Sequence, residues 1–376
     1  MPEFIAIDKP LTTRQIAELR SVSSRANITA TSFINEYNWG SFKGDPTDWM
    51  GCYFDAFVYT ANWCSCQFML RVPLACLSAK TVRDFQIEML DSFEIEKTAT
   101  HWILTWQLSE SESYERFAEY QGCNWMGQLV PLRDELLRGD LRALYLGWLS
   151  YIHELNDDAL EPPVPAGLGE LSTAQDDLID FLEIDVDFVH VAAMASPPLT
   201  NDHSNTDHQT WLDTISIEQA KQLLALLLDG RGQEAERQVK SEFFTWQREQ
   251  VHPPKQQTRR KVSELRKLAE IAEQERKEHE AIAAKKAAGE KQRQLEQYLR
   301  TMYADAELLW ASADTKAQRA TAANYDEATR LIKELAAAYK LAGNMEDFNK
   351  ALTAFINVHG KRKALVERLK KEKLFR

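Results

Sequence analysis

Cys64 and Cys66 are the residues of this chain whose type and spacing best suit chemistry. They sit in the run Phe54–Pro73, FDAFVYTANWCSCQFMLRVP. Two residues apart on a strand, both thiols point to one face and offer two ligands for a zinc ion. Cys52 and Cys76 are the other cysteines near enough in sequence to complete such a set. Against this, the spacing is not Cys-x-x-Cys, and Trp63, Phe68 and Leu70 are core neighbours. Unbridged cysteine in such company is a small buried hydrophobe. The core reading is therefore preferred, and no metal or other cofactor is expected.

Other chemistry-bearing patterns are incomplete. HELND, His153–Asp157, has the outline of His-Glu-x-x-His, but Asp157 stands where the second imidazole is required. It reads instead as a histidine near a helix C-terminus, where its partial charge is favourable. His203 and His208, in NDHSNTDHQ, fall in a polar connector too loose to hold a dedicated metal. GLGEL at Gly167 lacks the third glycine and the preceding strand of a dinucleotide fingerprint. No Walker A, Gly-x-Ser-x-Gly or Ser-x-x-Lys pattern occurs, and no nucleophile, base and orienter can be assembled from sequence. The reading leans away from an enzyme; a hydrolase or metal enzyme hidden in the N-terminal region is the third alternative.

The elements that must position these residues are legible. Tyr53–Ala61 and Cys64–Val72 read as a β-hairpin about Asn62-Trp63, and FEIEKTATHWILTWQL as a second strand pair. TTRQIAELRSVSS predicts a helix capped by Thr13. GQLVPLRDELLRGDLRALYLGWLSYIHEL reads as helix interrupted at Gly139. Two short acidic helices follow, and Ser216 with Gln219 forms a capping box before AKQLLALLL, closed by Asp229-Gly230. After Pro254 the composition turns to Ala, Glu, Lys, Arg and Gln, predicting one helix of roughly 50 residues, about 75 Å at 1.5 Å per residue. Its middle lacks a sustained heptad, so it reads as a solvated strut or a weak coiled coil through which the chain self-associates. Ala328–Ala342 and Phe348–Ile356 predict a helical hairpin closed by Gly343-Asn344, and a short basic helix ends the chain.

The fold class predicted is mainly α with an α+β N-terminal domain: a small antiparallel sheet with helices, then a long C-terminal helix and a terminal hairpin. Four segments are expected: a Trp-rich α+β domain at 1–160, an acidic helical domain with proline-rich linkers at 161–254, the long charged helix at 255–312, and the hairpin with its basic helix at 313–376. Charge divides unevenly among them. The first 250 residues hold 18 Lys+Arg against 39 Asp+Glu, and the remainder hold 27 against 18. An acidic body with a basic tail suggests either internal attraction or an acidic partner. Five cysteines spread over the first third, with neither a secretory signal nor a 20-residue apolar run, predict a reduced, cytoplasmic protein with no membrane span.

Several stretches together resemble a bacterial protein family with no assigned activity: YNWGSFKGDPTDWMGCYFDAFVYTANW, MLRVP, LVPLRDELLRGDLRALYLGWL, LNDDALEPPVPAGLGEL, FLEIDVDFV and YDEATRLIKELAAAY. The FKGDP…YFDAF…ANW block is the most specific part. The family's pattern usually has glycine after ANW where this chain has Cys64, which further weakens a metal reading. The resemblance implies a protein partner, SWIM-type zinc-finger proteins being genomic neighbours, and brings no catalytic residue with it. The leading expectation is thus a non-catalytic adaptor or scaffold subunit. Its contacts are expected at the exposed parts of Trp39, Trp49, Trp63 and Trp125 and at the hairpin face around Tyr339 and Phe348. The second expectation is a nucleic-acid-associated regulator gripping phosphates through Lys361, Arg362, Lys363, Arg368, Lys370 and Lys371.

Overall fold

A computed structural model of the chain describes residues 1–35, 44–61, 65–87, 93–109, 124–199, 205–250 and 259–375. They form two compact units, 1–274 and 275–376.

The first unit is built on a seven-stranded sheet: β1 (Pro2–Ile5), β2 (Asn27–Ile28), β3 (Ser32–Ile34), β4 (Ala56–Thr60), β5 (Cys66–Pro73), β6 (Glu94–Lys97) and β7 (His101–Leu108), in the order β2-β3-β1-β4-β5-β7-β6. All neighbours pair antiparallel. Both predicted strand pairs are present, with Val58 opposite Phe68 and Leu104 opposite Ile95. The Asn62-Trp63 turn lies outside the described residues. The sheet is wider than the sequence suggested, because the short strands β1–β3 add to it beside β4.

Alternation sends side chains to opposite faces. Val58, Phe68, Leu70, Leu104 and Trp106 join one apolar cluster; Phe4, Phe33, Phe57, Met69 and Ile103 join another. An antiparallel sheet commonly wets one face. Here both are covered, which is why Phe54–Pro73 reads as an almost unbroken apolar run.

One face meets α1 (Thr13–Val22) and α2 (Pro46–Cys52). The N-cap of α1 is Thr12, one residue before the predicted Thr13, because its hydroxyl rather than Thr13's accepts the Gln15 amide in a capping box. The other face meets α3 (Ala79–Phe85), α4 (Trp125–Leu129), α5 (Pro131–Leu137), α6 (Arg142–Leu149), α7 (Thr173–Leu182) and α8 (Val186–Ala195). At Gly147 helix α6 lies so close to the sheet that a Cβ would meet Trp106 at 2.6 Å and Phe93 at 2.7 Å. The Trp106 indole N–H donates to Ala143 O across the same contact. A boundary at 160/161 therefore does not hold. Leu178, Phe181 and Val191 complete the core begun by the strands.

Three further helices follow: α9 (Asn205–Leu212), α10 (Ile217–Leu228) and α11 (Gly232–Gln250). The predicted capping box is formed, with Ser216 Oγ accepting the Gln219 amide and the Gln219 side chain accepting from the Ser216 amide. Gly230, at φ 76°, makes the left-handed turn that lets α10 stop and α11 begin.

The long helix α12 (Val262–Ala304) starts within this unit. Val262, Leu265, Ala269 and Ala272 belong to the main core. Basic residues fasten this start. Arg260 grips Glu161 at 2.6 and 2.7 Å, and Tyr145 donates to the same carboxylate at 2.5 Å. Arg266 donates to the carbonyls of Ile152, His153 and Leu155. The helix is shorter than predicted. Asp305, at φ −94° and ψ 15°, leaves helical geometry, and a separate helix α13 (Ala306–Gln318) follows.

That break brings Ala306, Ala313 and Ala317 into the core of the second unit, against α14 (Ala322–Ala342), α15 (Met345–His359) and α16 (Lys363–Lys371). The hairpin predicted over α14 and α15 is present, turned by Gly343 at φ 76°. Leu365 and Leu369 seat the basic helix against it.

Candidate functional site

Of the cysteine pair, only Cys66 falls among the described residues. Cys66 is buried on the main-core face of β5, and its thiol donates to Phe181 O at 3.0 Å. Cys76 donates to Leu136 O at the same distance, Cys52 lies exposed, and Cys64 lies outside the described residues. No described group of three or more His, Cys, Asp and Glu could hold a metal ion. His153 follows α6 in a turn, its ring edge-on to Phe188 at 5.1 Å. Asp157, the residue in the place of a second imidazole, pairs with Arg266 at 2.5 Å. HELND is thus a receptor for the start of α12. His203 lies outside the described residues, and His208 packs on Phe243 with ring centroids 4.7 Å apart.

Of the four described aromatics expected at a partner surface, three are core. Trp49 stands edge-on to Phe33 at 4.9 Å, and Trp125 meets Phe181 at 5.2 Å; both are buried. Trp39 and Trp63 lie outside the described residues. Phe348 is buried and Tyr339 half-buried. Trp310 from α13 lies tilted against Phe348 with ring centroids 5.8 Å apart, so the hairpin face named in the sequence is turned inward. In the basic helix, Arg368 pairs with Asp326 at 2.6 Å and Arg362 donates to Ala317 O, so both arginines serve the second unit itself. Lys361, Lys363, Lys370 and Lys371 are exposed.

A cluster of buried charge lies at one end of the sheet. Asp55, fully buried, accepts from Arg71 at 2.6 and 3.0 Å and from the amides of Ile7 and Asp8. Arg133 bonds Asp8 at 2.7 Å and Arg71 O at 2.9 Å. Burial alone would raise the Asp55 carboxyl, but the Arg71 and Arg133 charges and these hydrogen bonds prevail and hold it below its ordinary range. His101 beside them is pushed down by burial and by Arg71. Arg71 also donates to Met50 O at 2.9 Å and Gly51 O at 3.3 Å, so the cluster fastens strands β1, β4 and β5 to α2 as well as to α5.

The described surface departs from this pattern on α10. Ile217, Leu224, Leu227 and Leu228 are 76, 57, 53 and 89% exposed. Positions 217, 224 and 228 share one helical face, with 227 at its edge. The opposite side, through Leu223, is what packs. Asp213, Glu218 and Asp229 flank the row, and none forms an ion pair among the described residues. The signal was present in the sequence, since LLALLL holds more leucine than one buried face of a helix can use.

Helices α9–α11 and the turn at Ala75 line an open cavity of about 330 Å³. Trp211, Trp246, Glu242, Ser241, Thr245 and Gln219 contribute to its wall. Phe243 supports both indoles, edge-on to Trp211 at 5.4 Å and stacked with Trp246 at 6.1 Å. Glu242 accepts from the Gln238 amide at 2.9 Å.

No protein-family model, curated protein or solved structure matches the chain. Among the described residues no helix is long and apolar enough to cross a membrane.

Proposed function

We propose that this is a non-catalytic interaction protein, an adaptor or scaffold subunit, whose helix α10 docks an amphipathic helix of a protein partner. The observation that carries the reading is the row Ile217, Leu224, Leu227 and Leu228, each more than half exposed. Leaving such side chains in water forgoes about 1.5–3 kcal/mol for each one that could be fully buried. Clustered exposed apolar surface is a mark of interaction sites. The unpaired acids at its edges favour a partner with basic residues beside its apolar anchors, in the helix-in-groove manner. We also propose membership of the bacterial family that the FKGDP…YFDAF…ANW block resembles, and a cytoplasmic location, in keeping with the unbridged Cys52, Cys66 and Cys76.

A photo-crosslinking residue at position 228 of the full-length protein, expressed in its native host, tests the reading. One dominant adduct is expected, absent when the probe stands at exposed Lys285 and lost in Leu224→Glu while the circular dichroism is unchanged. Adduct patterns indifferent to Leu224→Glu and to probe position would overturn it.

A further inference from the structure

The cavity lined by α9–α11 is chemically one-sided. Its wall contains one carboxylate, two indoles and small hydroxyl and amide groups, with no lysine, arginine or histidine. Glu242 is half-buried there and meets no cation among the described residues; it accepts from the Gln238 side-chain amide. The paired Glu236, six residues earlier on the same helix, has Lys240 at 2.6 Å. A carboxylate partly removed from water beside indoles is a poor place for an anion and a favourable one for a weakly hydrated cation. Indole faces attract such a charge through their quadrupole, and the carboxylate adds a direct Coulombic attraction.

Size narrows the ligand. About 330 Å³ is at the lower end of small-molecule sites, which run to roughly 1,000 Å³. It suits an alkylammonium head with a few methylenes. Phe243, itself buried between its contacts to Trp211 and Trp246, holds both indoles in place before any ligand arrives. A prepared wall avoids the ordering cost that weakens binding by mobile side chains.

We infer that this cavity is a binding site for an alkylated ammonium group, with Trp211 and Trp246 as its aromatic wall and Glu242 as its counter-charge. Two sources carry that group: a free choline-like molecule, or a methylated lysine side chain on a protein. The site does not depend on the exposed face of α10. Gln219 and Ile215 line the cavity, whereas the row in solvent is Ile217, Leu224 and Leu228.

Titration of the full-length protein with choline, followed by tryptophan emission and calorimetry, tests the inference. Its neutral isostere 3,3-dimethylbutanol and short peptides carrying trimethyllysine or unmodified lysine complete the set. Saturable binding of choline or of the trimethyllysine peptide is expected, with the neutral isostere weaker by about tenfold or more. Tighter binding of the peptide assigns the site to a modified side chain; tighter binding of choline assigns it to a free ligand. Glu242→Gln should weaken either about tenfold and keep the fold. Trp246→Leu should weaken it at least as much, and Leu228→Glu should leave it unchanged. Equal affinity for the isostere, binding indifferent to Glu242→Gln, or no saturation by either cation would overturn the inference.

Discussion

Phe54–Pro73 and Gln222–Leu228 are both dense apolar runs, and they meet opposite fates. In the first, the described side chains alternate between two clusters and the described apolar residues are nearly all buried. In the second, Leu223 is buried while Leu224, Leu227 and Leu228 face solvent. The difference lies in coverage. A sheet covered on both faces consumes every apolar residue of a strand, whereas a helix packed on one side uses only about a third of its positions. Surplus leucine on such a helix is surface looking for a partner.

Substitutions can break that contrast. Trp106→Ala removes a fully buried indole and its bond to Ala143 O, and should cost about 3–5 kcal/mol in urea unfolding. Leu228→Ala, deleting an equally apolar side chain, should stay within about 0.5 kcal/mol. Comparable losses at the two positions would mean that α10 is buried in solution. Gly147→Ala is the next largest effect: the added methyl has no room against Trp106 and Phe93, and a loss of about 1–3 kcal/mol is expected by the same measurement.

Acid sharpens the contrast in a subtler way. His101 and Asp55 both titrate lower in the folded protein than in the unfolded chain, from ordinary values of 6.5 and 3.8. The unfolded chain therefore binds protons first, and stability falls as pH drops. The urea midpoint should begin to decline as pH falls through about 6.5 and decline further below about 4. The upper step should disappear in His101→Gln. A flat midpoint from pH 7 to 4 would show that the charge cluster does not hold the sheet.

Much of the fold was legible because local rules governed it. The hairpin strands, the Ser216–Gln219 box, Gly343 at the hairpin turn and the last three helices of the second unit follow from periodicity and caps. The wide sheet was less so: β2 and β3 are two and three residues long, too short to show a pattern, and pairing alone makes them strands. The site was legible only in part. LLALLL announced excess leucine, but Trp211 and Glu242 lie in different helices, 31 positions apart in sequence, and no spacing rule joins them. Trp49, Trp125 and Phe348 misled because an aromatic residue looks the same in a sequence whether it anchors a core or a partner.

Composition and local pattern by themselves determined that this chain is mainly helical with an antiparallel sheet near its start, and that acid and base are segregated along it. These properties depend on residues within a turn or a strand of one another. Which apolar residues are covered, which histidines and thiols are packed away, and which indoles share a wall with a carboxylate were decided by tertiary structure alone. Burial is a property of everything that surrounds a side chain, and that surrounding is assembled from residues far apart in the sequence.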